Sequence, residues 1–163
     1  MSVYISWYVN PNKISMMINN FSIATFGKNL YSGRPQMWLI ALEEISKRPN
    51  LGWGTGVRAG NLIGLDISVH NLYLQLLVQN GILGLISFIT LLFYIWILFW
   101  KSKDKFITRL SAAYFISAII HNTFELILLQ NHMAMAFFQW FIFAIGASVG
   151  TFKNNSKDAY KLK

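Results

Sequence analysis

Cysteine is absent from this sequence, and charged side chains are scarce. Without Cys, the chain can form neither disulfides nor thiolate metal sites, although that absence does not identify a compartment. Charged residues make up 12% of the 163 positions, against roughly 25% in soluble domains, so they are too few to cover a surface that faces water. The N-terminus lacks a basic segment followed by an apolar one, so no cleavable signal peptide is predicted.

Hydrophobic residues dominate what is present, at 55% of the chain, and the net charge is +8. In a soluble protein such a charge would suggest a nucleic-acid partner. Here the charges fall mostly outside the apolar runs, so membrane topology is the simpler explanation and no nucleic-acid partner is predicted.

Three apolar runs occupy the C-terminal half. The first, 82–100, contains no charged residue and would be about 28 Å long as a helix, close to the ~30 Å thickness of the hydrocarbon layer. Trp96 and Trp100 near its end are typical of a membrane interface. The runs 110–129 and 133–152 follow. We therefore predict an all-α integral membrane protein with three transmembrane helices in 82–152.

Lys and Arg near the ends of these runs predict the orientation. The loop between the first two runs carries four of them, and the tail 153–163 carries four more. The short turn after the second run has none. The loop and the basic tail should therefore be cytoplasmic, and residues 1–81 should lie outside as an extracytoplasmic or interfacial region. Lys and Arg also occur in 1–81, but long segments are translocated largely regardless of charge.

Three short helices are predicted in the outer region, at about 14–26, 35–48 and 70–80. Apolar residues recur on one face of the second, which begins with Pro35 and ends before Pro49. The Gly-rich segment between the second and third helices should be a flexible turn.

Two residues at helix starts could carry chemistry. Arg34 precedes a helix, where a guanidinium and backbone N–H groups would suit a diphosphate; the alternative is an Arg at the bilayer surface. His70, which opens the third helix, could act as a base on a hydroxyl; the alternative is a structural His. Arg58 follows the Gly-rich segment and is a weaker candidate for substrate binding.

Within the second run, His121 and Glu125 are four residues apart and so should share one helix face. They could contact a substrate, or they could form a hydrogen bond that fixes helix packing. In the third run, Gly146 and Gly150 have the spacing that permits close helix approach.

The order of these features resembles a known family. Ser32-Gly33-Arg34 with Trp38 leads into a helix, and Arg48 to Gly54 reads RPNLGWG. His70-Asn71 then precedes nine residues and Gly81-Ile82-Leu83-Gly84. This pattern, over about residues 30–152, is similar to the bacterial O-antigen ligase and O-antigen or capsule polymerase family.

The resemblance implies a glycosyltransferase that needs no metal or other cofactor. It would act on polyprenyl-diphosphate-linked glycans at the outer face of the bacterial cytoplasmic membrane. Arg34 would hold the diphosphate, and His70 would be the acceptor-side base or orienting group. Gly81 and Gly84 would be the turn and close-packing glycines, and His121 and Glu125 match a looser pattern.

Members of that family usually have ten or more spans, so the resemblance implies that the chain corresponds to a C-terminal portion. The expected partners are a missing N-terminal membrane portion or other polysaccharide-assembly proteins. Polymerase and ligase are not separated by these motifs. The alternatives are a non-catalytic small membrane subunit that acts through helix–helix assembly, an inactive fragment, and a transporter.

Overall fold

The computed structural model describes residues 13–27, 34–65, 68–102, 105–129 and 132–161. All regular structure in these ranges is helical, without strands, which confirms the all-α prediction. The helices are α1 (Lys13–Phe26), α2 (Arg34–Lys47), a short 3-10 helix (Gly60–Ile63), α3 (Leu72–Lys101), α4 (Lys105–His121) and α5 (Met133–Lys161).

The chain divides into two compact units. The first unit contains Met1–Val69 and Leu74–Ile82, and the second contains His70–Tyr73 and Leu83–Lys163. The first unit has a core around the fully buried Trp38 of α2. The apolar face of α2 lies against the 3-10 helix region and the first turns of α3, with Ala41, Ala59, Val69, Leu74 and Val78 completing this core.

α3 contains a break at Gly81, where φ is +62° and ψ is −163°. In an unbroken helix the N–H of Ile82 would donate to the carbonyl of Val78, four residues earlier. Here the Ile82 N–H donates to the carbonyl of Pro49 instead, at 2.8 Å. The Val78 carbonyl is thereby available to another part of the chain.

N–H groups of the Gly-rich loop after α2 donate hydrogen bonds to the carbonyls near this break. Trp53 N–H donates to Val78 at 2.8 Å, and Gly54 N–H donates to Gln79 at 2.9 Å. A Cβ on Gly52 would lie about 2.5 Å from the backbone of Gln79, so only glycine fits there. The turn predicted for this segment is present, and the broken helix supplies backbone acceptors that hold it at Trp53 and Gly54.

Side chains from α2 also hold this loop. The Trp53 indole N–H donates to the Glu44 carbonyl at 3.0 Å, and the Arg48 guanidinium lies 4.4 Å from the Trp53 ring centre, a cation–π contact. Lys47 contacts Glu44 at 2.6 Å and Glu43 at 3.2 Å, and these carboxylates raise the pKa of Lys47.

Aromatic rings form the centre of the second unit. The Phe115 ring of α4 contacts Phe99 of α3 and Phe143 of α5, with ring centres 5.4 and 4.9 Å apart. Both contacts have the edge-to-face geometry that aromatic quadrupoles favour. α4 and α5 also approach closely at Gly146, where a Cβ would meet the Ser111 side chain. Gly150 lies in the part of α5 whose side chains fall outside the described residues.

One described helix, α3, is long and apolar enough to cross a membrane, with a mean hydropathy of 2.5 over its best window. It contains the predicted span 82–100. The apolar parts of α4 and α5 that could be assessed, Phe106–His121 and Met133–Val149, are shorter than the predicted spans. The prediction of three transmembrane helices is therefore not confirmed by the helices themselves.

Three predicted helix boundaries differ from the structure. The run 110–129 is not one helix, because α4 ends at His121. α5 continues through Lys161 into the predicted tail. α3 begins at Leu72, so His70 and Asn71 lie immediately before it. The early end of α4 has the largest consequence, because it removes Glu125 from a helix.

Candidate functional site

His70 has a strained backbone. Its φ is +44°, and among the described residues it is the one non-glycine residue with a positive φ. This conformation is uncommon for residues with a side chain, although His adopts it more readily than branched residues do. Such strain persists where neighbouring contacts impose it, and it concentrates at functional sites.

Hydrogen bonds fix the backbone on both sides of His70. In the first unit, the Trp38 indole N–H donates to the carbonyl of Val69 at 2.8 Å. In the second unit, the N–H of Leu72 donates to the carbonyl of Asn122 at 3.0 Å. Leu72 begins α3, where the first N–H groups lack partners within the helix, so the Asn122 carbonyl satisfies one of them.

The imidazole of His70 contacts Glu125. His70 Nδ1 lies 3.3 Å from Glu125 Oε2, and the two side chains are 42% and 32% exposed. An ionised carboxylate can only accept a hydrogen bond, so the contact requires a proton on Nδ1. In the neutral imidazole, Nε2 then carries the lone pair. A carboxylate in this position orients the ring and stabilises the imidazolium that forms when Nε2 takes a proton.

Glu125 contacts His70, whereas the sequence predicted that it would pair with His121. The interpretation that His121 and Glu125 share a helix face is wrong, because the chain leaves the helix at His121. Thr123 and Phe124 donate to the carbonyls of residues three earlier, which closes tight turns in place of a further helical turn. Glu125 follows these turns and contacts His70, two residues before the start of α3.

The buried side chain of Asn122 organises this connection. Its Nδ2 donates to the Ala118 carbonyl at 2.7 Å, and its Oδ1 accepts from the Leu128 N–H at 3.0 Å. Asn side chains compete with helical hydrogen bonds in this way and favour turns. The indole of Trp140 in α5 holds the far side of the same connection, by donating to the Leu128 carbonyl at 2.9 Å.

Tyr73 was also missed by reasoning from sequence. Its hydroxyl donates to the Ile119 carbonyl at 2.8 Å, which joins the start of α3 to the last turn of α4. The signal for Asn122 was present in the sequence, since a polar residue buried in an apolar run must find hydrogen-bond partners. No comparable pattern marks Tyr73.

The other predicted site residues lie elsewhere. Arg34 is the first residue of α2 and is partly exposed, in the first unit; Ser32 and Gly33 lie outside the described residues. Arg58, in the same unit, is exposed. It follows Val57, whose carbonyl accepts from the amides of Gln75 and Gln79. His121 is the exposed last residue of α4.

Gly84 lies in α3, one helical turn after Gly81, and is half-buried. Within the ranges described, no three His, Cys, Asp or Glu side chains cluster closely enough to hold a metal ion.

A family model described as O-antigen ligase matches residues 2–89 of this sequence, which is more than half of the chain. The matched region ends eight residues after the helix break at Gly81. The chain belongs to the O-antigen ligase family. Comparisons with curated proteins and with solved structures gave no match.

Membership indicates a membrane function of the polysaccharide ligase or polymerase type, and the apolar helix α3 agrees with a membrane protein. The matched residues include Arg34, Arg58, His70 and Gly81. Glu125 lies outside them, so its assignment to the site comes from the contact with His70 alone.

Proposed function

We propose that this O-antigen ligase family member forms part of a polysaccharide polymerase or ligase. It would transfer a glycan from a polyprenyl-diphosphate carrier to a sugar hydroxyl at the outer face of the bacterial cytoplasmic membrane. The observation that carries this proposal is the His70–Glu125 contact beside a strained His70 backbone.

In the proposed reaction, the acceptor hydroxyl oxygen bonds to the anomeric carbon of the donor glycan. Its proton passes to Nε2 of His70, and the bond from the anomeric carbon to the diphosphate breaks with its electron pair on the diphosphate oxygen. Glu125 keeps the proton of His70 on Nδ1 and offsets the positive charge of the imidazolium. A positioned base of this kind contributes typically 10²–10⁴-fold to a rate.

The diphosphate needs positive charge, and Arg34 is the proposed source. A guanidinium has a permanent charge and a forked set of donors that matches phosphate oxygens. This role rests on the resemblance and on the position of Arg34 at the start of α2. Arg58 and His121 are proposed as weaker contacts to the glycan or the acceptor, since both are exposed.

An apolar groove suits the lipid part of the carrier. A cavity of about 540 Å³ in the second unit lies along α3 and α4, and its lining includes Tyr73, Phe93, Trp96 and Ile120. Tyr73 is three residues from His70, so the groove begins near the proposed base. We propose that the groove holds isoprene units of the polyprenyl chain.

The proposed topology follows from charge. The eight Lys and Arg residues of the inner loop and tail favour a cytoplasmic C-terminus, and the remaining apolar helices would complete a multi-pass arrangement with residues 1–81 outside. An N-terminal membrane portion and other polysaccharide-assembly proteins are proposed partners.

The decisive experiment compares variants in cells that lack the native gene, with the gene restored in its own chromosomal context. His70→Ala should lower glycan transfer by about 10²–10⁴-fold at matched protein levels. Glu125→Gln keeps the shape of the side chain but removes the negative charge that stabilises the imidazolium. It should therefore lower glycan transfer, but by less than His70→Ala does. Because both residues act through one proton transfer, the double variant should be no worse than His70→Ala alone.

His132→Ala is the matched control, because His132 is an exposed His before α5 with no proposed role. Arg34→Lys tests the diphosphate contact separately and should transfer poorly, since the lysine loses the fork while keeping the charge. Normal transfer by His70→Ala and Arg34→Ala would show that both residues are structural and that the mechanism is wrong.

The rival function is a non-catalytic subunit that assembles through its small-residue helix face. Gly146 of that face packs against Ser111 within the same chain, which favours a role in internal packing. If His70→Ala transfers normally while the loss of the whole chain abolishes transfer, the subunit function is correct.

A further inference from the structure

A second cavity lies at the opposite end of α3 from His70. Its volume is about 420 Å³, and it is formed where the end of α3 and the beginning of α4 face one another in the second unit. Trp96 and Trp100 form apolar walls, and Ser102, Thr108 and Arg109 supply the polar atoms. Trp96 also lines the groove proposed for the polyprenyl chain; the proposed function uses none of the other four residues.

The polar side of this cavity has a donor directed by a hydrogen-bonded hydroxyl pair. Thr108 is buried, and its hydroxyl lies 2.6 Å from Ser102 Oγ and 3.5 Å from the Gly146 carbonyl. The shorter contact is the stronger one, so the single hydrogen of Thr108 is assigned to Ser102. A hydroxyl group has one hydrogen and two lone pairs. When Ser102 accepts from Thr108, its own hydrogen is left to donate to a further acceptor in the cavity.

A cationic residue lines the same cavity. Arg109 is one of its lining residues, together with Ser102. A guanidinium and a hydroxyl together match the oxygens of a phosphate group. The walls are unsuited to a free ion, because two tryptophans and Ala112 present mainly carbon atoms. The ligand should therefore combine a phosphate with an apolar part.

The position of the cavity supports the same chemistry. Trp96 and Trp100 occur near the end of α3, which among the described helices is the one long and apolar enough to cross a membrane. Tryptophans concentrate at the level of lipid head groups. Basic pockets between membrane helices are a known setting for anionic lipid head groups.

We propose that this cavity binds an anionic phospholipid, with its phosphate at Arg109 and Ser102 and the start of an acyl chain against Trp96 and Trp100. This lipid is distinct from the glycan carrier, and its binding does not depend on the proposed transfer reaction or on the orientation of the chain.

The test measures lipid binding to the intact purified protein in detergent by native mass spectrometry, with thermal unfolding as a second readout. Phosphatidylglycerol should bind and raise the unfolding temperature, whereas phosphatidylcholine of the same chain length should do so much less. Arg109→Gln should weaken phosphatidylglycerol binding about fivefold, the effect expected from one basic residue near an anionic lipid. Ser102→Ala should weaken it by a smaller factor.

Lys47→Gln is the control, because it removes one positive charge from an exposed position in the first unit that has no proposed binding role, and it should leave phosphatidylglycerol binding unchanged. Sodium phosphate forms the other arm, and it should not reproduce the stabilisation. Equal binding of the two lipids, equal effects of Arg109→Gln and Lys47→Gln, or full stabilisation by phosphate alone would each overturn the proposal.

Discussion

Replacing Gly81 by alanine should destabilise the first unit strongly. Gly81 has φ +62° and ψ −163°, a region that is essentially restricted to glycine. A Cβ there would also meet the backbone of Asn50 and Leu51. Neither neighbour can rotate out of the way, because both contacts involve main-chain atoms.

The magnitude has two parts. Holding alanine in this region of backbone space costs about 1–3 kcal/mol. Relieving the overlap requires the loop after α2 to move, and that loop makes three backbone hydrogen bonds near the break, through Ile82, Trp53 and Gly54. Each such bond contributes about 0.5–1.5 kcal/mol. Losing all three as well gives a total of about 2.5–7.5 kcal/mol, a large fraction of the stability of a typical domain.

Gly64→Ala is the matched control. Gly64 also has a positive φ, of +75°, but a Cβ there would meet nothing within 4 Å. Its substitution should therefore cost only the backbone strain, about 1–2 kcal/mol. Denaturant titration of the purified protein, followed by tryptophan fluorescence, measures both free energies of unfolding.

Amide hydrogen exchange gives a local readout. In Gly81→Ala the Trp53 and Gly54 amides should exchange faster, whereas in Gly64→Ala they should remain protected. If Gly81→Ala is no more destabilising than Gly64→Ala and leaves these amides protected, the loop does not depend on the helix break as described.

Three further predictions concern the second unit and the topology. Asn122→Ala removes two buried hydrogen bonds and should lower the free energy of unfolding by about 1–3 kcal/mol. It should also lower glycan transfer, because Glu125 follows the turn that Asn122 holds. Unchanged transfer at matched protein levels would show that the site does not depend on that turn. Gly146→Ala should destabilise the protein by about 1–3 kcal/mol through overpacking. Adding Ser111→Gly should recover part of this loss in a thermal unfolding assay. Two independent sites would show no such recovery. A reporter fused after Lys163 should behave as cytoplasmic and one inserted near Gly60 as external, and reversal of both would refute the orientation.

Several features of the fold could be predicted from local sequence. The uncharged run 82–100 is too long and too apolar for anything except a buried or membrane-crossing helix, and it lies within α3. The all-α character of the described residues followed in the same way. The spacing of His70-Asn71 from Gly81-Ile82-Leu83-Gly84 indicated the O-antigen ligase family, to which the matched residues belong.

The function of the Gly-rich loop could not be read from its composition. Glycines there indicated flexibility, yet Gly52 is needed because the loop backbone approaches α3 too closely for any side chain. Whether a glycine permits motion or close contact depends on what lies beside it. The neighbour of Gly52 is the backbone of Val78 and Gln79 beside the helix break, which is distant along the chain.

The partner of His70 was decided by tertiary structure alone. Periodicity placed Glu125 on a helix with His121, because the run 110–129 is apolar enough to continue the helix. The helix stops instead because the buried amide of Asn122 bonds to Ala118 and Leu128, and the Asn122 carbonyl accepts from the start of α3. Local propensity cannot supply that acceptor arrangement, since it exists only once α3 and α4 have packed together, and it is this packing that brings Glu125 to His70 across 55 positions of sequence.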